Sequence, residues 1–349
     1  GGAGPDLTLT GTSLYRTAGS SQVKPDAAGT YSWSSGTTIE FNNNLTGLES
    51  IRLTAAATVN YAKIIVSGTS VGTASLATGI RFQTGGSFTV KNAAVFKQIN
   101  STGFSGLTTT AISSTNNPTI ILEPGSMIEY NGADQMISTQ TINTPASAHY
   151  EGLTLSGAGN KTAPAGNLII NGNLIKTGSP VFMHNNGTVI MNGNLPQSYI
   201  FSYPGMVFNN LTNNNTVDLS VNSELNLVSQ LSFANNSKLN LQTGSNIILL
   251  STLNKTANIG IIPLTATVNY IGTGKFTINR FIPTGTGPAP NHGKSWQFLA
   301  VPTNGGQTVN QAWQDSATAA NQNRYPGFGT QLTSNISPLP PLFDVFTSP

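Results

Sequence analysis

The stretch "NLIINGNLIKTGSPVFMHNNGTVIMNGNL", residues 167–195, decides the fold. The phrase "NGNL" occurs in it twice, opening at Asn171 and again at Asn192, each time after a short aliphatic run. A parallel solenoid accounts for both features. One coil of three short strands and three corners takes about 20–25 residues. Equivalent side chains of successive coils then lie about 4.8 Å apart, so aliphatics stack into a continuous core and asparagines into amide ladders. Asparagine also tolerates the left-handed backbone of a corner, which glycine adopts without steric cost. The echo predicts that Leu168, Ile170 and Leu174 point inward, against Val189, Met191 and Leu195 of the next coil. On this register Ile170→Asp unfolds a coil, whereas Asn185→Asp, in the "HNNG" connection, is nearly silent.

The same texture extends outward. Apolar runs of three to six residues, punctuated by Gly, Asn and Pro, read as strands: "AKIIV" (62–66), "TIILE" (119–123), "LTLS" (153–156), "ELNLV" (224–228), "KLNLQ" (238–242) and "NIILL" (246–250). Helical periodicity is almost absent. "LNL" recurs at Leu225–Leu227 and Leu239–Leu241, two thirds of the "NGNL" interval, or two sides of a coil. A meander or sandwich would show paired strands flanking two-residue turns, and that signature is poorly represented. The expectation is an all-β chain: a parallel β-helix, a three-sided solenoid of about 21 residues per coil. Residues 1–40 form an N-terminal segment or cap, 41–275 the β-helix, and 276–349 a small C-terminal β-rich or irregular module. That last boundary falls where prolines accumulate and two of the three tryptophans, Trp296 and Trp313, occur. The end, "ISPLPPLFDVFTSP", reads as a linker or truncated edge.

Composition narrows the partners. Only 8% of residues are charged, and the 15 basic and 12 acidic residues are scattered singly. No basic stripe exists to track a phosphate backbone, so nucleic acid is not expected. The chain contains no cysteine, which excludes disulfides and thiolate metal sites. No apolar run approaches the about 18 residues of a membrane-spanning helix. The first residue is Gly1 rather than Met, as in a processed chain.

Few groups carry chemistry. "GTSVG" (68–72) matches G-x-S-x-G, but no helix follows and the histidines lend no support, so a Gly/Ser corner is the better reading. "GGAGPD" (1–6) begins like a calcium-binding repeat without a tandem copy, and "NHGKS" (291–295) lacks the glycine of a phosphate loop. His149, His184 and His292 are dispersed, so neither a metal nor a cofactor is expected. The acids Glu123, Glu129 and Asp134 cluster in sequence, and Glu151 follows Glu129 by nearly the "NGNL" interval, thus one coil away. Stacked acids of this kind could contact a cation or a glycan; glycosidases hold two carboxyls about 5 Å apart or somewhat farther. Solvated strand ends are the plainer reading.

The tract "MIEYNGADQMI … YEGLTLSGAGNKTAPAGNLIINGNL" (127–174) resembles repeats in large secreted surface proteins of Bacteroidota. There a "Y-x-x-L-x-L-S-G-x-G-x-K-T" phrase, here Tyr150 to Thr162, precedes a strand and "GNL". The segment "INRFIPTG … KSWQFLAVPTNGGQTVNQAWQ" (278–314) resembles the one that comes after those repeats. The resemblance implies type IX export, a parallel β-helix, an adhesin-like role and no catalytic residues. The sorting domain it implies is missing, so the chain reads as part of something longer or as held at the surface differently. "DSA" (315–317) resembles an O-glycosylation signal of the same bacteria, which implies a glycan on Ser316. The expected function is that of an extracellular, non-enzymatic adhesive rod that contacts itself, neighbouring surface proteins or glycans. Uncapped coils would stack end to end into a filament. The alternative is a polysaccharide-degrading enzyme or a glycan-binding module.

Overall fold

The computed structural model describes residues 7–17, 31–45, 47–51, 60–73, 79–138, 149–201 and 205–279. Trp296, Trp313, His292, Ser316 and the expected C-terminal module lie outside them, apart from residues 276–279. Among the described residues there is no helix, and all pairing between strands is parallel. About nine coils stack into a solenoid of three sides.

Strands Leu14–Thr17, Thr38–Phe41, Tyr61–Val66, Phe82–Val90 and Thr119–Leu122 begin the first side. Asn167–Ile170 and Thr188–Met191 continue it in later coils. The second side is one ten-stranded sheet from Glu49–Ser50 to Thr267–Tyr270. Gln135–Met136, Asn160–Thr162 and Val181–Met183 belong to the third side. In later coils the corner between third and first sides opens out. Met206–Asn213 and Glu224–Phe233 run straight through it, their register slipping between Phe208 and Asn210. Asn209 fills the slip: its amide donates to Asn186 O at 2.7 Å, and its Oδ1 accepts from Lys255 Nζ at 2.8 Å.

The sequence register is right for two pairs and wrong for the third. Leu168 pairs with Val189 and Ile170 with Met191, all four buried. Leu174, however, pairs with Tyr199, and Leu195 is 62% exposed. The second "NGNL" is followed by a longer corner, because Gln197 turns inward and pushes Leu195 out. The coil is accordingly longer than the echo suggests, about 24 residues on average. Its length also varies: the coil from Val221 to Leu241 is short, and the one from Phe96 to Ile128 is long. The two "LNL" phrases sit on different sides: Leu225 pairs with Met206 and Leu239 with Leu219. Parallel pairing among the described residues begins at Leu7, within residues 1–40, expected as an N-terminal segment or cap.

The alternation of each strand feeds one axial core. Phe96, Ile128, Leu153, Leu174 and Tyr199 form a continuous column, each buried, each contributing about 1.5–3 kcal/mol. An aromatic file threads the earlier coils from Trp33 through Tyr61, Phe82, Phe88, Phe96 and Phe104 to Tyr150. It ends at Tyr130, whose hydroxyl lies 2.7 Å from that of Tyr150. The corners use left-handed residues as expected, among them Asn116, Asn117, Asn185, Asn186 and Asn236.

Candidate functional site

The corner between the first and second sides is built by the "NGN" phrases themselves. A Cβ at Gly172 would collide with Glu151 O, and one at Gly193 with Asn171 O. Only glycine lets these corners stack so closely, and the flanking asparagines are thereby turned outward. Asn192 Nδ2 donates to Asn171 Oδ1 at 3.4 Å, and Asn214 Nδ2 to Asn192 Oδ1 at 3.2 Å. This is the amide ladder the echo predicts. A second ladder crosses the outer face of the second side, where Asp218, Asn240 and Asn269 are linked by bonds of 2.6 and 2.7 Å.

Buried glutamines pin the coils beneath the corners. Gln197 donates to Ile170 O at 2.9 Å and Gly172 O at 2.7 Å, while its Oε1 accepts from Gly193 N and Asn215 Nδ2, each at 2.8 Å. Gln135 repeats the device: it donates to Gln98 O and Asn100 O, and accepts from Gly132 N and Lys161 Nζ. Lys161 is fully enclosed, and its ammonium also donates to Gly132 O, Ala133 O and Ala158 O at 2.6–3.0 Å. Burial pushes its pKa down to about 8, against an opposing pull from Asp134. Neither glutamine nor Lys161 stands out in the sequence. The signal is their inward phase: Gln197 alternates with Tyr199 and Phe201, and Lys161 with Ala163.

Four successive copies of the first-to-second corner line a groove of about 520 Å³. Gly125 and Ser126 come from one coil, Glu151 and Gly152 from the next, Asn171 and Asn173 from the third, and Asn192 and Asn194 from the fourth. Glu151 is its one charged lining residue. The Glu151 carboxylate lies 2.9 Å from His149 Nε2, and both side chains are largely enclosed.

The structure separates the four acids. Glu123 ends a first-side strand, where Lys91 Nζ reaches it at 2.6 Å and holds its carboxyl below the ordinary value. Glu129, mid-strand on the second side, accepts from Ser156 Oγ at 2.6 Å with Lys97 Nζ 3.7 Å away. Asp134, before the third side, accepts from Asn160 N at 2.7 Å. Thr154, not Glu151, stands over Glu129. The coil from Glu129 to Thr154 exceeds the "NGNL" interval, which moves Glu151 back to the corner.

The remaining motifs are corner parts. Ser70 of "GTSVG" donates its hydroxyl to Gly47 O at 2.9 Å. His184 Nδ1 accepts from Asn186 N at 3.0 Å, a turn closure remote in sequence from His149. "GGAGPD" and "NHGKS" lie outside the described residues. Compared with known proteins, the chain matches no family model, no curated sequence and no solved structure.

Proposed function

We propose that the chain is a secreted, non-enzymatic scaffold of a bacterial cell surface: a stiff coil stack that contacts neighbouring surface proteins, glycans or copies of itself. The observation that carries this reading is the unbroken ten-stranded parallel sheet of the second side, bonded coil to coil and laddered with amides outside. Strand pairing joins each coil to its neighbours, so load along the axis is shared by inter-coil hydrogen bonds and a common core.

The phrase that resembles secreted Bacteroidota repeats supports the same view, because each of its residues does structural work. Tyr150, Leu153 and Leu155 are core, Gly157 and Gly159 adopt left-handed turns, and Lys161 pins the corner. The distribution of the acids supports it too, since Glu123, Glu129, Asp134 and Glu151 are held by four different sets of partners. A glycoside-cleaving site calls for two carboxyls facing one substrate.

The test is immunogold labelling of unpermeabilised cells combined with negative-stain imaging of the native material. Label on the outer surface and rod-shaped particles are expected, isolated or joined end to end. Retention inside the cell, or cleavage of polysaccharide by the intact protein, would contradict the reading.

A further inference from the structure

The corner groove has the chemistry of a binding site that nothing in the scaffold itself requires. Its lining comes from four coils, and their rise places the first and last corners about 14 Å apart. Its polar groups are only partly used. Asn171 Nδ2 and Asn173 Nδ2 have no partner among the described residues, although both Oδ1 atoms do. Asn194 makes no side-chain bond among those residues and is exposed. Ser126 also lines the groove but is 1% exposed, and its hydroxyl, which has no partner among them, is buried beneath the groove surface.

We propose that this groove binds a neutral, hydroxyl-rich oligosaccharide of about three sugar units lying along the coil axis. The free amides stand on two adjacent coils of the four, Asn171 and Asn173 on one and Asn194 on the next, one coil rise apart, while the whole groove spans about three such rises. An amide that donates and accepts side by side suits vicinal hydroxyls. Leu195 and Pro196, at one end of the groove, offer the apolar contact that a sugar ring face prefers. Charge selects against acidic glycans, because the one charged lining residue is the Glu151 carboxylate. A peptide strand has no ladder to join here, since the second-side strands beside the groove are already paired coil to coil. The inference deepens the surface-scaffold reading by naming what one face of the stack holds, and it rests on that reading only for its biological setting.

The experiment is calorimetric titration of the full chain with cellotriose, mannotriose and chitotriose, with trigalacturonate as the acidic comparison. At least one neutral trisaccharide should bind saturably, and trigalacturonate should not. The double variant Asn171→Ala/Asn194→Ala removes one half-buried and one exposed amide, with the ladder bond from Asn192, and leaves the buried pins intact. It should keep its circular dichroism spectrum and bind about tenfold more weakly. Failure of all three neutral sugars, equal binding by the variant, or preference for trigalacturonate would overturn the proposal. Surface-displayed rods that bind none of these sugars would sink the groove and leave the scaffold standing.

Discussion

At the scale of the residue, polar side chains facing inward are the structure's least expected feature and its sharpest test. Lys161 satisfies four oxygens from an enclosed position. Lys161→Met would leave Ala133 O and Ala158 O without a donor among the described residues, while Gln135 Oε1 keeps Gly132 N and Gly132 O keeps Ala158 N, and should cost about 3 kcal/mol in urea unfolding at pH 7. Its titration gives a second readout. The folded-state pKa of about 8 lies below the ordinary 10.5, so between these values the unfolded chain binds more protons. Stability should therefore rise as pH climbs from 8 towards 10. Above 10 the trend reverses, because burial holds Tyr130, Tyr150 and Tyr199 protonated in the fold while the unfolded tyrosines ionise. In Lys161→Met the rising limb should shrink to the part set by Lys176, whose pKa burial also lowers, and the fall should remain; a rising limb unchanged in that variant would show that Lys161 does not contribute to it. Asn185 makes a smaller case. It is left-handed, at φ 46°, and donates to Ala163 O at 3.2 Å, so Asn185→Asp is not silent. It should cost about 1 kcal/mol by loss of the donor.

At the scale of the element, the two copies of "NGNL" form a natural pair of experiments. Leu174→Ala empties a fully buried core position and should cost about 3 kcal/mol, whereas Leu195→Ala, at a position 62% exposed, should change stability by under about 0.5 kcal/mol. Equal losses at the two sites would contradict the outward position of Leu195 in the corner after Asn192. The contrast also marks what the sequence makes legible. Strands such as Asn167–Ile170 and Thr188–Met191 can be read directly, because hydrophobic alternation fixes which face is buried. Corners cannot, because their length varies between coils while their composition does not: Asn, Gly and Ser serve a short corner and a long one equally. The error at Leu195, the shift of Glu151 away from Glu129 and the hidden inward turn of Gln197 share that cause. The groove escapes the sequence for the same reason, since its residues are spread over four corners and meet only once coil lengths are known. The ladder from Asn171 to Asn192 is foreseeable because the coil between them happens to match the echo.

At the scale of the whole solenoid, everything proposed depends on successive coils lying directly above one another with parallel strands. The absence of native cysteine makes this claim accessible to paired spin labels. Lys97, Glu129, Thr154, Ile175 and Ile200 occupy one column on the outer face of the second side. With one label at Lys97 and the second moved in turn to Thr154, Ile175 and Ile200, the separations should grow in equal steps of about 5 Å. The sequence intervals of the last two steps, Thr154 to Ile175 and Ile175 to Ile200, are unequal and should leave no trace in the distances. Separations that stay constant, or that rise and fall as antiparallel neighbours would make them, would contradict the parallel stack.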